Sequence, residues 1–160
     1  MTVRPSAVWR RVRWLLAFVA LCTLATCPAA IQRCKVEETA REAPTLLGYL
    51  VGQVRAYVTE HGELPDVTVG PTPAIGTCCA TRRQCRPDAD LWLDPAWRAL
   101  RFSIDGHHRF SYQVERQGPA LVLRAIGDQD CDQVRAVYEV TLTLDGGKLT
   151  ETWQRANPLE

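Results

Sequence analysis

The stretch VRAVYEVTLTLDGGKLTETW, residues 134–153, decides the fold. Val134, Ala136, Tyr138, Val140, Leu142 and Leu144 fall on every second position. A period of two belongs to a strand, because successive side chains of an extended backbone point to opposite faces. Asp145-Gly146-Gly147 then gives a hairpin signal, since the tight turns that match strand twist need positive φ. Leu149 and Trp153 carry the alternation onto a last strand. Upstream, Phe110, Tyr112 and Val114 alternate, Gly118-Pro119 marks a turn, and Leu121 to Ile126 reads as a further strand. Consecutive strands with short turns predict an antiparallel meander, apolar on one face.

That face needs a cover. Leu46, Leu47, Leu50, Val51, Val54, Tyr57 and Val58 recur at helical spacing, with Gln53, Arg55 and Glu60 on the other side. Gly62 and Pro65 stop the helix. Pro28 and Pro44 interrupt the preceding stretch and are expected to kink it without ending it. Trp14 to His61 therefore reads as one long bent helix, apolar all round and then amphipathic. The expected class is α+β: a long N-terminal helix, transmembrane and then amphipathic, packed on an antiparallel sheet of about four strands. Pro65, Gly70, Pro71, Pro73, Gly76, Pro87 and Pro95 make residues 62–95 a loop region, with one helical turn, Ala96 to Leu100, after it.

Lys and Arg number 19 against 18 Asp and Glu, a net charge of +1, which argues against a nucleic-acid partner. The charges are unevenly placed. Arg4, Arg10, Arg11 and Arg13 precede an uncharged run of 18 residues, Trp14 to Ile31, which includes Phe18 and Pro28. As a helix this run spans about 27 Å, close to a bilayer core. Basic residues on one flank keep that flank in the cytoplasm. Residues 1–13 read as a basic cytoplasmic N-terminus, 14–31 as a transmembrane helix or signal segment, and 32–160 as an exported domain. A retained anchor is preferred to a removable signal peptide, because the run is long and no clean small-x-small site follows. The expected location is the inner membrane, single pass, with the C-terminal domain in the periplasm or at the cell surface.

Of seven cysteines, Cys78, Cys79, Cys85 and Cys131 belong to the soluble part. In an oxidising compartment they read as two disulfides, one of Cys78 or Cys79 going to Cys85 and the other to Cys131. Zinc is the weaker reading, since adjacent cysteines chelate one metal poorly. Asp128, Asp130 and Asp132, with Glu139 eleven positions after the first, have the acid spacing of a calcium loop. Gln133 stands where such a loop has its turn-forming glycine. No other cofactor is indicated. His107 and His108 after Asp105-Gly106 read as solvated turn residues. The aromatic set Trp92, Trp97, Phe102, Phe110 and Tyr112 reads as core, or as a sugar- or protein-binding platform. No set of nucleophile, base and acid is visible, so an enzyme is not expected.

LLAFVALCTLATCPAAIQRCK (residues 15–35) and EAPTLLGYLVGQVRAYVTEHGELP (residues 42–65) resemble the two halves of the long helix of type IV pilins and pseudopilins. Cys78-Cys79 through Cys85-Arg86-Pro87-Asp88, then Trp97 to Ser103, Arg109 to Tyr112 and Ala125 to Asp132, resemble in their order the pilin-like proteins of myxobacteria and related bacteria. The resemblance covers Trp14 to Glu139. It implies a non-enzymatic, membrane-anchored envelope component of a pilus or type II secretion assembly, with other pilin-like subunits or secretion-system proteins as partners. It departs at the processing site, where Ser6, Ala7 and Arg11 occupy the leader, first mature and acidic positions. A cation at Arg11 would repel the neighbouring amine that the acid neutralises, which implies a chain that is not processed and does not polymerise. The alternative is a membrane-tethered periplasmic module binding calcium, a sugar or a protein.

Overall fold

The structure, a computed structural model, describes Trp14 and residues 41–158. Residues 39–160 form one compact unit. Helix α1 runs Glu42–His61, and strand β1, Val69–Thr72, follows. Then come two short helices, α2 (Thr77–Ala80) and α3 (Pro95–Ala99), with a single 3-10 turn at Ala89–Trp92 between them. Strands β2 (Phe110–Gln117), β3 (Ala120–Gly127), β4 (Ala136–Asp145) and β5 (Lys148–Ala156) complete the chain. All five strands pair in sequence order, each antiparallel to the next.

The meander is as the alternation predicts. Gly146 and Gly147, at φ 55° and 80°, form the turn joining β4 to β5, the left-handed pair that a twisted two-residue hairpin requires. Rows of opposed residues run across the sheet: Tyr112, Ala125 and Tyr138; Val114, Leu123 and Val140. These inward side chains are buried. Against them α1 lays Ala43, Leu47, Leu50, Val51 and Val54, one helical stripe. Truncating a fully enclosed leucine such as Leu47 removes about 2–5 kcal/mol.

The helix does not cover the whole face. Trp92, Trp97 and Phe102 close the rest, stacking edge-on or tilted at 5.3–5.5 Å between ring centres, and Phe102 reaches Tyr112. The Asp94 carboxylate caps α3 by accepting from the Ala96 N–H at 2.8 Å, with Pro95 at the first helical position. The Trp97 indole N–H donates to Thr72 Oγ1 at 3.0 Å, tying this aromatic lid to β1. On the opposite face of the sheet, Arg124 bridges Glu115 and Glu139, both at 2.6 Å.

The expected class needs correction. The structure is mostly β, a five-stranded sheet rather than about four strands, and its helices are short apart from one of 20 residues. The missing strand is β1, hidden among Gly70, Pro71 and Pro73. An edge strand tolerates proline because one row of its N–H groups has no partner strand. Gly70 fits there because a Cβ would lie 2.4 Å from the Tyr112 carbonyl oxygen. The long bent helix is also overturned. Within residues 41–158 helix begins only at Glu42, after a turn at Arg41, and Pro44 is not an interior kink but lies in the first turn, where the N–H it lacks has no partner.

Among the described residues no helix is long and apolar enough to cross a membrane, which overturns the placement as a single-pass inner-membrane protein. Trp14 is helical and exposed; the rest of the expected span, with Phe18, Pro28 and Ile31, lies outside the described residues.

Candidate functional site

The irregular segment between β1 and β2 is fastened to one end of the sheet. Cys78 bonds Cys85, and Cys79 bonds Cys131. The cysteines are therefore disulfides, with α2 presenting two neighbouring sulfurs in opposite directions: one closes a short loop, the other reaches the turn between β3 and β4.

His108 completes this corner. Its backbone pairs with Cys85 as an isolated bridge, with Cys85 N–H donating to the His108 carbonyl at 2.7 Å and His108 N–H to the Cys85 carbonyl at 3.2 Å. The imidazole is 1% exposed, with Nδ1 3.1 Å from the Gly106 carbonyl and Nε2 buried without a partner. Its ring nitrogen lies within 4.8 Å of the sulfurs of Cys78 and Cys85. His108 was expected to be solvated. The signal that places it inward is parity: it stands two and four residues before Phe110 and Tyr112, on their side of the incoming strand. His107, one residue off, is exposed.

Glu42 is a second residue that the sequence did not single out. In the first turn of α1, its carboxylate accepts from the N–H groups of Arg109 and Phe110, where β2 begins. Burial pushes this carboxyl above its usual value, against the opposing pull of those two hydrogen bonds. Tyr112 lies close by, fully buried; burial and then the Glu42 charge push its phenol well above the usual range.

The acid cluster behaves differently from a calcium loop of four side chains. Asp128, Asp130 and Asp132 do converge, one oxygen of each within 4.8 Å of the others. Their carboxylates, however, are engaged by their own turn. Asp128 accepts from the N–H groups of Asp132 and Gln133 at 3.2 and 3.0 Å, and Asp132 from that of Val134 at 2.7 Å. Asp130 accepts from Asp132 as well. Gln133 takes φ 80°, the left-handed conformation that a glycine would adopt freely. Glu139 is not brought to this turn: it lies within β4 and pairs with Arg124.

Between the disulfides and the turn lies a cavity of about 190 Å³ lined by Cys79, Arg109, Ser111, Asp128, Gln133 and Arg135 among others. Its wall mixes charged groups with apolar ones, Ile75 and Ile126 among the latter, and it is open to one side. A second cavity, about 370 Å³, lies between the C-terminal turn of α1 and α3, where Tyr57, Glu60, His61, Arg98 and Arg101 meet. There the ring of His61 stacks on Tyr57 at 4.0 Å. The aromatic set stays together: Trp92, Trp97, Phe102, Phe110 and Tyr112 are all buried, as the core reading requires. With its four cysteines oxidised, this end of the domain supplies covalent closure and a small cavity of mixed lining. No protein-family model matches the chain, and neither a curated protein nor a solved structure matches it significantly.

Proposed function

We propose that this domain is a non-enzymatic assembly component of bacterial envelope machinery, of the pilus or type II secretion kind, working in an oxidising compartment. One observation supports this most: all four cysteines among the described residues are spent on fastening an irregular segment to the sheet, and the one histidine beside them is buried. Disulfides of this kind belong to proteins that must keep their shape outside the reducing cytosol. The order of the cysteine, Trp-Arg-Ala-Leu-Arg-Phe-Ser and Asp-Gln-Asp-Cys-Asp segments supports the pilin-like version of this reading.

The test is fractionation of the source cells with thiol trapping before lysis. The expected result is a chain with both disulfides formed, present at fixed stoichiometry in sheared or detergent-extracted envelope assemblies. A chain recovered with free thiols at these four positions, or only as an isolated species, would overturn it.

A second reading, a ligand-binding module, is favoured by the cavity beside the Cys79–Cys131 disulfide, whose wall combines arginine, amide and carboxylate groups. A small ligand with both polar and apolar faces, such as a sugar or a peptide, suits a wall in which these groups stand beside Ile75 and Ile126. Calcium at the adjacent turn would bind carboxylates that the turn's own backbone N–H groups already orient. A calcium titration followed by melting temperature separates the cases, because a ligand bound only by the folded state raises it progressively.

A further inference from the structure

Strand β5 closes one side of the sheet, and among the described residues it pairs only with β4. It is nine residues long, in unbroken register with β4 from Lys148 to Ala156, and its last five residues are all exposed. The other edge is protected differently. Strand β1 has four residues, contains Pro71, and slips its register against β2. Short length, proline and irregular pairing are the usual defences of a sheet edge, and β5 has none of them. It carries instead Trp153, an aromatic side chain 45% exposed on the face that α1 covers elsewhere.

The charges on β5 form a pattern. On the Trp153 face the order is Leu149, Glu151, Trp153, Arg155, an acid and a base placed symmetrically about the tryptophan. Charged side chains on an edge ordinarily repel a second strand. Consider instead a second copy of the same strand, antiparallel and related by a two-fold axis perpendicular to the sheet. Such an axis must pass through one residue, because it returns each face of the sheet to itself. Centred on Glu151, the register sets two carboxylates against each other; centred on Arg155, it sets two guanidinium groups together. Centred on Trp153, it sets Glu151 opposite Arg155 on both sides of the axis and stacks tryptophan beside tryptophan. Opposite charges and aromatic pairs directly across strands stabilise a ladder, and like charges destabilise it.

We infer that β5 is a self-association edge, at which two copies of this chain join antiparallel about Trp153 into one continuous ten-stranded sheet. The occupant is a second copy because Trp153 is the one centre on the strand that sets Glu151 opposite Arg155; Glu151, which already pairs with Arg55 and accepts from the Trp153 indole N–H at 3.3 Å, gains a further cation there. The symmetry is closed, so the contact yields a dimer rather than a growing ribbon. The contact area is that of one strand pair, small beside ordinary dimer interfaces, so the dimer is weak and concentration-dependent. This inference does not rest on the envelope reading and survives its failure.

The test uses the full 160-residue chain, oxidised. Sedimentation equilibrium across a wide concentration range, with amide hydrogen exchange on β5, is run for the native chain, Glu151→Arg, Arg155→Glu and the double reversal. Each single reversal is expected to weaken dimerisation about tenfold, by turning two attractive cross-strand pairs into repulsive ones. The double reversal is expected to restore it, and β5 amides are expected to gain protection as dimer forms. Glu151 also pairs with Arg55 within the chain, so the melting temperature of each variant at monomeric concentration separates loss of fold from loss of contact. A mass that stays monomeric at every concentration overturns the inference. So does a dimer indifferent to the single reversals, or one that leaves β5 amides unprotected, since either would place the contact on another surface.

Discussion

The carboxylate of Glu42 accepts a hydrogen bond from the backbone N–H of Arg109 at 2.8 Å, joining residues 67 positions apart. The first turn of the helix is thereby fixed to the first residues of the central strands, at the edge of the buried His108 and Tyr112. The Glu42 carboxyl is held above its usual 4.5, burial outweighing the two hydrogen bonds. Between 4.5 and that raised value the folded chain binds more protons than the unfolded one, so stability falls as pH rises through this window. Glu42→Gln keeps an oxygen acceptor and removes the titration. Urea unfolding at a series of pH values should show the native slope there and a flatter profile in the variant. Glu115, held below its usual value by the hydrogen bond from Arg124, contributes with the opposite sign and at lower pH. Parallel profiles for the two proteins would exclude Glu42 as the source.

The two disulfides should not be equal. Cys79–Cys131 spans 52 positions and Cys78–Cys85 only 7. Loop-closure entropy assigns about 4 kcal/mol to the longer and about 2 kcal/mol to the shorter. Urea midpoints of the two paired-alanine variants, Cys79→Ala with Cys131→Ala and Cys78→Ala with Cys85→Ala, should rank in that order. The reverse order would mean that burial of Cys78 and Cys85 beside His108 matters more than chain entropy.

Gln133 holds a left-handed backbone that a side chain resists by about 1–2 kcal/mol. Gln133→Gly relieves it while loosening the unfolded chain, for a net gain of about 0.5–1 kcal/mol. Thermal unfolding should move up by a few degrees, roughly 2–5 °C for a domain of this size. A drop would show that the Gln133 side chain contributes to the cavity wall more than its backbone costs.

Gly127 faces Phe110 across the β2–β3 ladder, and a Cβ there would lie 2.6 Å from the phenyl ring. Gly127→Ala should therefore destabilise by about 1–3 kcal/mol, because the ring is fully enclosed and has nowhere to move. Adding Phe110→Leu should recover part of the loss. If both single changes simply add, the ring and the glycine are not in contact in solution.

Most of the sheet was legible because its signals are local. Alternation over residues 110–153 and the turns at Gly118-Pro119 and Gly146-Gly147 need no tertiary information. The amphipathic stripe of α1 was equally visible. Strand β1 was not, since its pairing with Val114 and Tyr112 is made through backbone groups while its side chains, glycine and proline, signal a loop. Pro44 misled because a proline in a helical first turn and one in an interior kink look alike until the cap is known. The four cysteines were found and their partners narrowed, but only the fold separates Cys78 from Cys79. Glu42 was missed because its burial depends on what it meets 67 residues away, which periodicity does not encode, whereas the inward parity of His108 was masked by the turn signal of Asp105-Gly106 before it.

The Cys79–Cys131 bond also changes what the domain can do under tension. A pull applied through the two ends of the domain passes across that bond from α2 to the turn before β4, bypassing the 3-10 turn, α3, β2 and β3. The 52 positions between the cysteines would otherwise pay out about 180 Å of extended chain. Stretching can peel away α1, β1, β4 and β5, but the hairpin of β2 and β3 and its aromatic lid stay out of the line of force. A pulled molecule therefore lengthens by a fixed, shortened amount, and keeps an unstretched knot of structure around His108 from which the rest can re-form.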